Sequence, residues 1–304
     1  MLQKINWSRI VFFQTALVVS LIIGIIIWMS PNLRPSLSDV AVEFHGMIFD
    51  VVLFGLVLTY FERRLKKKLD EREAEQEKRE QIRKWKEEID DYREWNEKEA
   101  TYRTLGIIKR LIRENEKNLD LKLCYFQRAN LAYIHLPGAD LLAANLQEAD
   151  LEVANLQGAN LRAAKIMKAN LAGVNLQGAI LNNANLQGAS LWGANLQGAD
   201  FEYTNLKGAN LQVHHVQGAS FRLANLQGAN LQGARLQGAN LERANLKETN
   251  LEYADLRGAN LRGADLSGAT LNNTIATESQ KESLLEANVS EEQLNKGMEW
   301  RDDE

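Results

Sequence analysis

From Leu121 to Leu271 an apolar residue stands at every fifth position: Leu121, Phe126, Leu131, Leu136 and Leu141, then without a gap to Leu261, Leu266 and Leu271. Two residues before nearly every one sits a small residue, usually Ala. A helix wants apolar residues at a spacing of 3.6 and a strand at a spacing of two. On an α-helix each step of five drifts by about 140°, so the leucines would spiral and make no stripe. On a flat strand they would alternate faces. All of them point inward only if the chain turns a corner every pentad and winds into a tube. The pattern therefore predicts a solenoid whose turns bury a shared core.

These pentads resemble the pentapeptide-repeat family, whose consensus is Ala-(Asp/Asn)-Leu-x-x. The resemblance covers roughly half the chain. It implies a β-solenoid, a right-handed quadrilateral β-helix with four pentads per coil. The central Leu or Phe and the small residue before it point inward, and the other three positions point out. About eight coils at roughly 4.8 Å each make a rod about 37 Å long.

Four pentads per coil means columns of spacing twenty, and the sequence carries them independently. Gly138, Gly158, Gly178, Gly198, Gly218, Gly238 and Gly258 form an unbroken column. The column ten residues out of phase is interrupted by Arg128, Glu148, Lys168 and Glu248. Gln157, Gln177, Gln197, Gln217 and Gln237 edge the glycine strip, and stacked amides of this kind form ladders. Repeat duplication and a packing surface for another flat body both account for the strip.

The N-terminal 61 residues read as a membrane hairpin. Ile10–Trp28 is an apolar run of about 19 residues, long enough to span a bilayer. A signal peptide is the rival, but Met29-Ser30-Pro31 offers no small-x-small cleavage site. A second run covers residues 40–61 and contains Glu43, His45 and Asp50. Glu43 and Asp50, seven apart, share a helix face and are the candidate intramembrane polar pair. Shielding at the interface is the plainer account of them. Arg63, Arg64, Lys66, Lys67 and Lys68 follow directly, and Lys4 and Arg9 precede the first run. The positive-inside rule then places both termini and the repeat domain in the cytoplasm of a multi-pass cell-membrane protein. The basic cluster meets anionic lipid headgroups.

Residues 62–117 are charge-dense with interspersed signs and read as a long helical spacer, about 80 Å if continuous. Ile82, Trp85, Ile89 and Tyr92 fall at 3-4-3 spacing, a short coiled-coil seam. The seam joins two chains into a homodimer, or the arm folds onto the rod's first coil. Leu119 and Leu123 are expected to plug that end of the rod, which spans residues 118–274. Residues 275–304 read as C-terminal capping helices and an acidic tail. Thr277 is one N-cap, and Ser290-Glu291-Glu292-Gln293 resembles a capping box.

Net charge is −4 and the single cysteine is Cys124, which excludes an intrachain disulfide framework. There is no phosphate loop, nucleophile elbow, Ser/His/Asp arrangement or zinc spacing, so neither an enzyme nor a cofactor is expected. His214 and His215 are adjacent, which is poor geometry for one ion. Ile134, Val174, Thr204, His214 and Thr249 replace the small inward residue. Among outward positions, Trp192 and Val213 fall on one wall, with Tyr133, Val153 and Tyr253. Tyr203, Leu223 and Arg222 fall on the opposite one, among Arg162, Arg243 and Arg262. Trp, Tyr and Arg are the usual contact residues of protein interfaces.

The expected function is a membrane-anchored, non-catalytic scaffold presenting the rod to a protein partner. A transport or sensing role for an oligomer of the hairpin is the alternative. Some relatives of the resembled family mimic duplex DNA and bind topoisomerase, which needs an acidic rod. Residues 126–274 carry about eleven Lys/Arg and about eleven Asp/Glu, so mimicry of a polyanion fails on charge and no nucleic-acid partner is expected.

Overall fold

The structure is a computed structural model that describes Val19, Ile22 and residues 37–212 and 215–301, with backbone alone for 37–45, 47 and 48. It divides into two compact units, Met1–Glu80 and Gln81–Glu304. Helix α1 spans Leu37–Asp91 and helix α2 spans Lys98–Arg113. The pentad rod follows. Beyond it come strand β1 (Thr274–Ala276), a short 3-10 turn (Glu278–Gln280), α3 (Lys281–Glu286), α4 (Glu291–Gly297) and β2 (Met298–Trp300).

The rod has the period the sequence sets. Bridges join residues twenty apart in parallel, as in Asn130↔Asp150, Asn145↔Lys165 and Asn205↔Asn225. Each pentad turns its corner on the two residues after the central Leu, and the second of these takes a φ near +60°, as in Tyr133 and Gly138. The Leu N–H donates to a carbonyl of the next coil (Leu131 to Asp150 O, 2.7 Å), and the bridge residue donates back (Asp150 to Ala129 O, 2.9 Å).

Asn suits the bridge position because it serves two partners. Its Oδ1 accepts the N–H two residues on, closing the corner (Lys207 N to Asn205 Oδ1, 3.2 Å). Its Nδ2 donates to the Asn of the coil before (Asn205 to Asn185 Oδ1, 3.1 Å). The glycine column is one stripe of a rule that holds on all four sides: each corner needs a left-handed residue, and Gly reaches that conformation without a Cβ penalty.

Inside, the Leu, Phe and Ala layers form one continuous buried cluster. Phe201 and Phe221 occupy the same column in successive coils and stack with centroids 5.0 Å apart. The inward threonines are held by hydrogen bonds. Thr204, Thr249 and Thr274 are fully buried, and each hydroxyl donates to the carbonyl 23 residues back (Leu181, Leu226 and Leu251, at 2.8, 3.0 and 2.8 Å). His214 and Val213 lie outside the described residues.

At both ends the rod's apolar core is covered. At the N-terminal end, Ile107, Ile108 and Leu111 of α2 and Ile89 of α1 are buried in the core cluster, and Ile82, Trp85 and Tyr92 pack against it. The 3-4-3 seam is thus occupied within the chain. Leu119 is buried, but Leu123 does not plug the end: it is a corner residue with φ +59° and 40% exposure. The expected single long helix is also corrected. Helix α1 ends at Asp91 because Glu94 takes φ +61° and its N–H turns to Leu123 O, while Arg93 fastens to Asp90 and Asp120. At the far end, β2 pairs in parallel with β1 and extends the stack. Thr277–Gln280 and Ser290–Gln293 each form a capping box. Both glutamines reach back onto the last coils, Gln280 to Leu256 O and Gln293 to Ala269 O. Trp300 packs against the core, under the Lys281 ammonium.

Among the described residues no helix is long and apolar enough to cross a membrane. The first apolar run falls almost wholly outside the described residues, Val19 and Ile22 excepted. The second lies on α1, where Phe49, Val52, Leu53, Phe54, Leu56 and Phe61 are exposed. Asp50 is exposed on the same helix, and the side chain of Glu43 is not described.

Candidate interaction surface

The outward side chains stand in columns twenty residues apart, as the sequence arranges them. On one wall Trp192 is 59% exposed. Its flanks are small, Ala172, Gly173 and Gly193, and a Cβ on Gly193 would meet nothing within 4 Å. The residues flanking the indole on that side are thus small. Its own column continues as an amide ladder, Gln212 to Gln232 to Glu252, at 2.9 and 3.0 Å. Tyr133, Val153 and Tyr253 stand in the adjacent column, all exposed.

On the opposite wall Tyr203 is exposed and Leu223 half-buried. Arg222 is less available than its residue type suggests. Its guanidinium is hydrogen-bonded to Glu202 and lies 3.7 Å from Glu242, one coil to either side. The Glu202 bond, with the Glu242 charge and Tyr203, raises its pKa further above the ordinary arginine value. Arg222 is a clasp between coils, and Tyr203 and Leu223 are what the wall presents.

Residue type alone does not give the backbone on which these side chains stand. Tyr133, Val153, Tyr203, Leu223 and Tyr253 all occupy left-handed corners, with φ between 53° and 61°. Each large residue there costs on the order of 1 kcal/mol relative to glycine, most of all the β-branched Val153. The three tyrosines are largely open to solvent, so burial does not offset that cost for them.

No group of three or more His, Cys, Asp or Glu able to hold a metal ion occurs among the described residues. Cys124 is inert: burial pushes its thiol up to about 12. Two cavities lie at the rod's ends, one of about 500 Å³ beside α2 and one of about 380 Å³ at the C-terminal cap.

The family model "Pentapeptide repeats" matches this chain at residues 124–162, 144–183, 179–212, 215–243 and 239–275. Among solved structures, HetL, a pentapeptide repeat protein involved in heterocyst differentiation regulation from the cyanobacterium Nostoc, is 34% identical, over 53% of this chain and 80% of that one, with a TM-score of 0.30. QnrB1, a plasmid-mediated fluoroquinolone resistance protein, is 14% identical over 57% and 95%, with a TM-score of 0.36. A pentapeptide repeat protein from the Arabidopsis thaliana thylakoid lumen is 25% identical over 40% and 68%, with a TM-score of 0.20. No curated protein matches.

Proposed function

This chain belongs to the pentapeptide repeat family, and from that premise we propose that it is a non-catalytic interaction scaffold, tethered to a membrane by its N-terminal hairpin. The observation that carries the interaction role is the set of large apolar side chains held at left-handed corners on the outer walls. A sequence selected only for rod stability would favour glycine there, and glycine does hold about half of the rod's described corners. Trp192 adds an indole that is more than half exposed, a residue type enriched at binding hot spots. Among the described residues the rod interior is filled by one continuous apolar cluster, which supports a role carried by the walls.

The tether rests on the apolar runs 10–28 and 40–61 and on the basic cluster Arg63–Lys68. It puts the rod and both termini on the cytoplasmic side. The fluoroquinolone-resistance role named for QnrB1 is not carried over, because the two chains are only 14% identical.

Photo-crosslinking from the membrane fraction tests the proposal. A specific protein should be recovered with the native chain and lost with Trp192→Glu, and reduced with Trp192→Ala. Equal recovery from both variants removes the Trp192 wall as the contact surface. Release of the chain from membranes by high salt or carbonate removes the tether.

A further inference from the structure

A groove of about 500 Å³, within the usual range of binding pockets, runs between α2 and the corner Gln127–Asn130 of the rod's first coil. Leu105, Gly106 and Ala129 contribute an apolar floor, and Lys98, Lys109 and Arg128 supply the charge. No carboxylate lines it. Arg128 is shared with Glu148 at 2.9 Å, but Lys98 and Lys109 have no ion-pair partner among the described residues.

The backbone in this groove is an open edge. Part of the first coil's edge is covered from within the chain: Arg93 reaches the Asp120 and Lys122 carbonyls, the Glu94 N–H reaches Leu123 O, and the Thr101 hydroxyl reaches Tyr125 O. At Asn130 neither N–H nor C=O has a partner among the described residues. One coil on, Asp150 uses both groups, its N–H to Ala129 O and its carbonyl from Leu131 N–H. An exposed strand edge with free donors and acceptors is a template for another strand.

Gly106 is the third observation. It lies inside α2, where glycine weakens a helix relative to alanine. A Cβ there would meet nothing within 4 Å, so no packing inside the chain requires the glycine. The open space faces the groove that Gly106 lines.

We propose that this groove binds an extended acidic peptide segment of a partner protein, which adds a short strand at Asn130, sets its carboxylates on Lys98 and Lys109 and seats one apolar side chain over Gly106. This mode takes affinity from main-chain pairing and specificity from alternate side chains. A fatty-acid chain would use the floor and one cation but leave the Asn130 pair unmet. The site is separate from the Trp192 wall and stands or falls without it.

Fluorescence anisotropy with the full-length protein and a fluorescein-labelled Glu-Val-Glu-Leu-Glu-Val-Glu peptide tests this. Saturable binding is expected, about tenfold weaker for Lys98→Gln/Lys109→Gln and for a peptide N-methylated at its leucine. Gly106→Leu should abolish binding while the protein melts no earlier than wild type, and Trp192→Glu should leave binding unchanged. The proposal is overturned if the lysine double variant or the N-methylated peptide binds like its parent. It is equally overturned if the Lys-Val-Lys-Leu-Lys-Val-Lys peptide binds as well, if no binding occurs up to about 1 mM peptide, or if laurate or anionic phosphatidylglycerol vesicles displace the probe while unlabelled peptide does not.

Discussion

Gln237 Nε2 donates to Asp255 Oδ2 at 2.6 Å, across a sequence offset of eighteen. The same offset joins Asn182 to Asp200 at 2.8 Å, Lys122 to Asp140 at 3.2 Å and Lys247 to Asp265 at 3.1 Å. The cause is the bridge position. Asn there donates its Nδ2 to the coil before, but Asp has no hydrogen to donate and brings a charge instead. In these four pairs a side chain two residues past the preceding bridge position reaches across and donates to the carboxylate. Gln237 and Asn182 do so with their carbonyl oxygens left unpartnered, so the donation to the carboxylate is the bond that each amide keeps.

Replacing that donor tests the rule. Gln237→Ala should cost about 1–2 kcal/mol in urea denaturation. Gln237→Lys should restore most of it, as Lys122 and Lys247 already do for their aspartates. Equal stability of all three proteins would mean that Arg257, which pairs with Asp255 at 2.9 Å, meets the need alone.

Val153 is strained at φ +53° and half exposed. Val153→Gly is expected to raise stability by about 0.5–1 kcal/mol, a higher melting temperature in a thermal scan. A lower one would show that the contact of Val153 with the coil at Gly173 outweighs the backbone cost.

Thr204 has the shape of valine with a buried hydroxyl aimed at Leu181 O, which already accepts the Ala184 N–H. Thr204→Val removes one hydrogen bond and strands no acceptor. The expected loss is about 1 kcal/mol at constant denaturant slope. A loss above about 3 kcal/mol would point to a packing role for the hydroxyl instead.

Acid should unfold the rod through its bridge aspartates. Burial opposes ionisation of Asp255, but hydrogen bonds from Arg257 and Gln237 outweigh it and hold the carboxyl below the ordinary range. Asp265 is lowered further, chiefly by the Ser267 hydroxyl, with help from Lys247 and Asn288. Both folded-state values lie below the unfolded ones, so folding favours the charged forms. Their contribution is complete above about pH 5 and is lost as pH falls through the folded pKa values. Melting temperature should be flat from about pH 5 to 7 and drop below about pH 4. Asp255→Asn should flatten part of that drop.

The period of five determined the architecture because no other backbone path buries every fifth leucine. The Ser290–Gln293 capping box was legible for the same reason, a local pattern with one geometric solution, while the four pentads per coil came from the family resemblance and the glycine column agreed with it. Where a residue could serve two partners, the sequence left the choice open. Ile82, Trp85 and Ile89 spell a seam for any apolar surface, and only the proximity of α2 and the first coil decided that the surface is the rod's own end. Leu123 reads as a plug, yet its place in the pentad puts it on a corner. Arg222 reads as a contact residue, yet two glutamates one coil away on either side already hold it. Periodicity fixes which way a side chain points, because that depends on the backbone alone. What the side chain meets there depends on residues twenty positions away, and that the folded coil had to supply.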